Sequence, residues 1–135
     1  MTARGSVRLV LAALYFAAGV LHLAIPRPFL SIMPGWVPFP EPVIVMTGIA
    51  EIAGAIALAQ PWSVALRRAA AFGLAMYAVC VFPANIHHFA LDMARADGGL
   101  GLAYHIPRMA LQPVLVWLAL WAGGATDWPF QRRPA

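Results

Sequence analysis

The segment VIVMTGIAEIAGAIALA, residues 43–59, decides the fold. It is an apolar stretch of a kind that stands out from the rest of the chain. Its length is close to the roughly 20 residues that cross a bilayer core. One ionisable side chain, Glu51, interrupts it. Three similar stretches lie outward from it, at Leu9–Ile25, Ala69–Phe89 and Ile106–Ala122. The last is the least uniform, because Arg108, Gln112 and Pro113 break its start. Helices are expected because a spanning segment must satisfy its own backbone hydrogen bonds. The expected fold is therefore all-α: one membrane domain over residues 1–135, a four-helix transmembrane bundle with spans at about 9–25, 43–59, 69–89 and 106–122.

Composition supports this. Of 135 residues, 62% are apolar and 10% charged, against about 45–50% and about 25% in soluble domains. Mean hydropathy is +0.77. Such a chain is neither a soluble enzyme nor a disordered segment. The net charge of +4 comes from nine basic residues, all Arg, scattered singly or in pairs. They form no basic face, so no nucleic-acid partner is expected. Cys80 is the single cysteine, which excludes an internal disulfide and a Cys-x-x-Cys redox pair.

The arginines report topology instead. Arg4, Arg8, Arg67, Arg68, Arg132 and Arg133 fall on one side of the expected spans, and Arg27, Arg95 and Arg108 on the other. Both termini of a multi-pass membrane protein are thus expected on the cytoplasmic side, with loops 26–42 and 90–105 facing outward. The first apolar run continues beyond the small residues Ala17–Gly19, so it reads as a retained span rather than a cleaved leader. Loop 26–42 holds six prolines with Phe29, Trp36 and Phe39 among them. It is expected to lie in the membrane interface, with a helical turn at Phe29–Met33. Loop 60–68 should make a tight hairpin, and loop 90–105 the most polar outward segment. Trp117, Trp121 and Trp128 suit an interfacial belt. The tail, residues 123–135, is rich in Gly, Pro and Arg and is expected to be disordered.

Polar residues within spans carry the functional information. Glu51 lies eight residues into its span, roughly 12 Å deep at about 1.5 Å per residue. A charge there costs several kcal/mol unless paired or protonated. Gly48-x-x-Glu51-x-x-Gly54 sets small residues near the carboxylate, so a second helix can approach closely. Glu51 is either a ligand or proton site or a hydrogen-bonded structural acid. His22, His87, His88 and His105 all fall toward the outward half, joined by Asn85, Arg108 and Gln112. Glu51, His22, Asn85, Arg108 and Gln112 are the candidate ligand-binding or proton-relay residues of a pocket roofed by loop 26–42. A metal is the weaker expectation, with His22, Glu51, His87, His88 and His105 as its candidate ligands; no His-x-x-x-His or Glu-x-x-His pair lies on one helix. The plain alternatives are interfacial histidines and an Arg108 snorkelling to headgroups. No nucleophilic triad, Walker loop or dinucleotide fingerprint is present, and Gly98-Gly99-x-Gly101 is a lone turn.

These residues resemble the DoxX-like family of small bacterial membrane proteins. The matching stretches are His22 with Pro26-Arg27-Pro28-Phe29, Ile32-Met33-Pro34-x-Trp36-Val37-Pro38-x-Pro40, Gly48-x-x-Glu51-x-x-Gly54, Phe82-Pro83-Ala84-Asn85-Ile86 and Arg108-Met109-Ala110-Leu111-Gln112 before Trp117 and Trp121. They run in order over about residues 19–121. The resemblance implies a four-helix membrane bundle and an association with sulfur or thiol redox, its namesake being similar to a subunit of a thiosulfate:quinone oxidoreductase. The expected function is a quinone- or small-molecule-binding redox accessory subunit, working with an oxidoreductase partner or as a homo-oligomer. The alternatives are a non-catalytic scaffold or partner subunit and, less strongly, transport.

Overall fold

The computed structural model describes residues 2–130. These residues are all-helical, with no strand among them. Four long helices, α1 (Ala3–Ala24), α3 (Pro40–Ala59), α4 (Val64–Met93) and α5 (Leu102–Ala122), pack around a shared interior, and the short α2 (Arg27–Ser31) crosses one end. Helices α1, α3 and α4 are long and apolar enough to cross a membrane. Helix α5 is long enough, but Arg108, Gln112, His105 and two internal prolines lower its hydropathy. Large apolar side chains point outward: Val10, Leu14, Met46, Ile49, Phe72, Met76 and Val79 are all exposed. A surface this apolar suits lipid rather than water.

The helix ends follow local chemistry. The Thr2 hydroxyl accepts from the Gly5 amide to start α1, and the Ser63 hydroxyl accepts from Leu66 to start α4. Pro40 opens α3, where the missing N–H costs nothing. Gln60 braces the α3–α4 turn: its Nε2 donates to the Ala57 and Ser63 carbonyls, and its Oε1 accepts from the Ser63 amide. The expected spans lie inside α1, α3, α4 and α5 in turn, α1 ending one residue before Ile25. The longest helix, α4, has 30 residues, roughly 45 Å at about 1.5 Å each. It continues through Asp92, so the connection expected at 90–105 shrinks to 94–101. There Asp97 accepts two bonds from Arg95 at 2.8 Å each, holding its carboxyl well below the usual carboxylate range.

One half of the bundle is solid. Leu11, Ala12, Tyr15, Ala55, Leu58, Ala70, Leu74, Ala75, Ala119 and Ala122 form its core. The many alanines let the backbones come close. At this end Arg4 pairs with Asp127 at 2.5 Å and lies over the Trp121 ring, while Arg68 donates to the Gly124 carbonyl. Residues 123–130, expected to be disordered, instead fold back: Trp117 Nε1 donates to the Trp128 carbonyl, and the Phe130 ring meets Trp117 and Trp121. Aromatic contacts offset the chain entropy that composition alone suggested would win. The remainder of that tail, residues 131–135, lies outside the described residues.

The tightest seam is α1 against α3. A Cβ on Gly19 would stand 2.6 Å from the Gly48 carbonyl oxygen, and one on Gly48 would stand 3.0 Å from the Gly19 carbonyl. Neither backbone can yield without parting the helices. Gly19→Ala should therefore lower the melting temperature in detergent, with a loss of about 1–3 kcal/mol typical of overpacking. Gly73→Ala, where a Cβ meets nothing within 4 Å, should melt at or above wild type. Equal melting of both variants would show that the seam is looser than this.

Candidate functional site

The other half of the bundle is hollow. A cavity of about 600 Å³ lies between α1, α3, α4 and α5. Phe29, Ile32, Met33, Pro34, Trp36 and Val37 cover one end of it. Two contacts fix this roof: the Phe29 ring stacks on His22 at 3.8 Å, and His87 Nδ1 donates to the Ile32 carbonyl at 2.9 Å. Prolines shape the walls. Pro83 and Pro113 each remove an amide donor from their helix and leave a carbonyl one turn earlier without its usual partner.

All five residues expected at a ligand site, Glu51, His22, Asn85, Arg108 and Gln112, line this cavity. Glu51 is 3% exposed. His22 Nδ1 lies 2.8 Å from Glu51 Oε2 and 2.9 Å from the Ala18 carbonyl. The carbonyl can only accept, so Nδ1 carries a proton. That N–H is directed at Ala18, which leaves Glu51 Oε2 beside the ring without a directional hydrogen bond. The Tyr77 phenol lies close enough to the Glu51 carboxyl to feel its charge. Tyr15 meets Tyr77 edge-to-face at 6.2 Å between ring centres, and its hydroxyl is buried with no hydrogen-bond partner. Tyr15 and Tyr77 both line the cavity. Tyr15 shares the face of Gly19 and His22, a spacing visible in the sequence. Tyr77 has no such signal, because it stands alone among apolar residues of α4.

The amides work as a brace. Asn85 Nδ2 donates to Gln112 Oε1 at 3.1 Å, and Gln112 Nε2 donates to the Ala78 carbonyl at 2.5 Å. This ties α4 to α5 beside the break at Pro83.

The five candidate metal ligands do not come together. His22 and Glu51 form one pair, and His87 is turned to the roof. His88 and His105 meet a residue absent from the expected set, Asp92. One ligand atom from each of His88, Asp92 and His105 lies within 4.8 Å of the others. The His88-x-x-x-Asp92 spacing on one helix was the signal for this cluster, obscured by assigning Asp92 to a loop. Its polar contacts run in a chain. Asp92 Oδ2 accepts from His105 Nε2 and from the Leu100 amide, both at 2.9 Å, and lies 3.6 Å from His88 Nε2. Arg108 Nη1 donates to His88 Nδ1 at 2.9 Å. An arginine only donates, so His88 Nδ1 holds a lone pair and the His88 proton sits on Nε2, facing Asp92. A metal on Nε2 would instead need a proton on Nδ1 with an acceptor beside it. Arg108 cannot be that acceptor, and His105 Nδ1 is buried with no partner at all. The cluster suits hydrogen bonding better than coordination.

The fold and site thus define an all-helical protein with membrane-type apolar helices around a half-hollow bundle. The chain belongs to the family described as Domain of unknown function (DUF8561), whose model matches residues 11–123. That match contains every residue lining the cavity. No curated protein and no solved structure matches the chain.

If the amides brace the helices, Gln112→Leu should cost about 1–3 kcal/mol, since it strands a buried acceptor and a buried donor. Adding Asn85→Ala should cost less than the sum of the two single losses, because both remove the same bond. Additive losses in thermal unfolding would show that the two side chains act separately.

Proposed function

We propose that this protein is a DoxX-like integral membrane protein of the bacterial inner membrane, with four spans and both termini in the cytoplasm, whose cavity binds a quinone-type, lipid-soluble molecule. It serves as a redox accessory subunit, with electrons coming from an oxidoreductase partner. One observation carries this: a cavity of about 600 Å³ lined by two residues with a buried polar atom that makes no hydrogen bond in the protein, Tyr15 Oη and Glu51 Oε2, the latter with only the His22 ring beside it at 2.8 Å. Ligand sites run to about 300–1,000 Å³, mostly apolar with a few placed polar groups. Each unsatisfied buried group costs about 1–3 kcal/mol, which a ligand's polar atoms offset.

The cavity wall reaches the outer apolar surface: Leu14 of α1 and Leu111 of α5 line it, yet are 61% and 52% exposed. A molecule dissolved in the bilayer has direct access there. Arg108 donates to a quinone carbonyl, and Glu51 exchanges a proton with it. The orientation is supported by the arginine asymmetry and by Arg4, Arg68 and Asp127 sharing one end of the bundle. A scaffold role would use the small-residue face for a partner. Here Gly19 and Gly48 are spent against each other and Gly54 against Leu74.

Tyr15→Phe is the clean test, because its hydroxyl has no internal partner to lose. The variant should be at least as stable as wild type. It should bind a short-chain ubiquinone about 2- to 10-fold more weakly, followed by quenching of Trp36 in the cavity roof, as expected for one hydrogen bond of about 0.5–1.5 kcal/mol. Glu51→Gln should weaken binding further. Wild type that does not bind the quinone, or binding indifferent to both substitutions, would overturn this function. Reporter fusions at both termini should be active only on the cytoplasmic side.

A further inference from the structure

The cavity contains an uncompensated cation. Arg108 lines it and is half-buried. Its partners are the His88 imidazole at 2.9 Å and the face of Tyr104, with the guanidinium 5.6 Å from the ring centre. No carboxylate lies within ion-pair range of it among the described residues. Glu51 stands beside His22, Asp92 is bound by His105 and the Leu100 amide, Asp97 by Arg95, and Asp127 by Arg4. A guanidinium has five donors in a planar fork, and His88 uses one.

This arrangement has a direction. Arg108 needs a rotamer that keeps the fork at the cavity, and His88 supplies it by accepting at Nδ1. Asp92, 3.6 Å from His88 Nε2, favours by its charge the tautomer that carries the proton on Nε2 and can accept at Nδ1. His105 and the Leu100 amide fix Asp92 in turn. Four groups therefore aim one positive charge into a largely apolar chamber, where a charge-assisted bond is stronger than in water.

We propose that Arg108 is an anion receptor, positioned by Asp92 and His88, and that the ligand carries an acidic head on an apolar body. This rests on the cavity as a ligand site and narrows the quinone class to molecules with an ionised oxygen. The anion takes the free edge of the Arg108 fork, and the apolar body lies along the chamber toward Tyr15 and Glu51.

The test uses three probes on the full-length protein in detergent, read by Trp36 quenching. They are a 2-hydroxy-3-alkyl-1,4-naphthoquinone, which is anionic at neutral pH, its O-methyl ether, which is neutral, and dodecanoate. The hydroxy compound should bind roughly 10- to 100-fold more tightly than its ether, the scale of a hydrogen bond to a charged group. Arg108→Gln should abolish that preference, weakening the hydroxy compound far more than the ether. Asp92→Asn, which leaves Arg108 in place, should reduce the preference in part, and Arg108→Lys should restore little of it because a point charge lacks the fork. Equal binding of hydroxy compound and ether, both insensitive to Arg108, would overturn the anion receptor while leaving the quinone site standing. Binding of dodecanoate alone, lost in Arg108→Gln, would support the receptor and remove the quinone. If none of the three binds, both fall.

Discussion

Glu51 is the constraint on which the rest depends. A carboxylate 3% exposed in the middle of an apolar helix is costly unless partners reach it. The polar side chain that α1 sets against it is His22, and it arrives because Gly19 and Gly48 let the two backbones nearly touch. With a Cβ at either glycine, α1 would stand off and His22 would lose its 2.8 Å approach to the acid. Tyr77 comes from α4, which is set against α3 where Leu74 fills the space above Gly54. The acid is thus served from two neighbouring helices, and each approach uses a glycine of the Gly48-x-x-Glu51-x-x-Gly54 pattern.

That requirement divides the bundle. Where only alanine and leucine face inward the helices close completely, and Leu58, Ala71 and Ala119 are wholly buried. Where Glu51, His22 and the prolines face inward they cannot close. A chamber remains, covered by a loop too apolar for water. The roof is held to the walls by one ring stack and one histidine-to-carbonyl bond, so closure of the chamber and placement of His22 are linked through Phe29.

Much of this was legible in the sequence, for a physical reason. Runs of apolar residues at bilayer length specify helices regardless of partner, so the four long elements follow from hydropathy. Convergence of Glu51, His22, Asn85, Arg108 and Gln112 was also legible, since polar residues in apolar spans have few places to go. Boundaries set by side-chain contacts were not. Asp92 looked like a loop residue because charge usually ends a span, yet His105 and the Leu100 amide satisfy it within the last turn of α4. Tyr77 was hidden because a tyrosine in an apolar run has no periodic partner. The tail looked disordered because Gly, Pro and Arg dominate it, while the contacts of Trp128 and Phe130 depend on α5 being present to receive them.

The site residues differ in what they demand of a ligand. Asn85 and Gln112 satisfy each other and ask for nothing; they hold α4 to α5. The Tyr15 hydroxyl and Glu51 Oε2 are buried without a hydrogen bond, Glu51 Oε2 having only the His22 ring beside it, and both can take small polar atoms. Arg108, in the second turn of α5, asks for negative charge. An apolar interior that holds both hydrogen-bonding groups and a separate cation selects by the placement of polar atoms as well as by polarity. A symmetric hydrocarbon would leave all of these groups unpaired, and a fully polar solute would forfeit the burial that the apolar walls supply. The ligand proposed above, mostly apolar with an acidic head, would meet both demands, and Leu14 and Leu111 connect the chamber to the outer apolar surface.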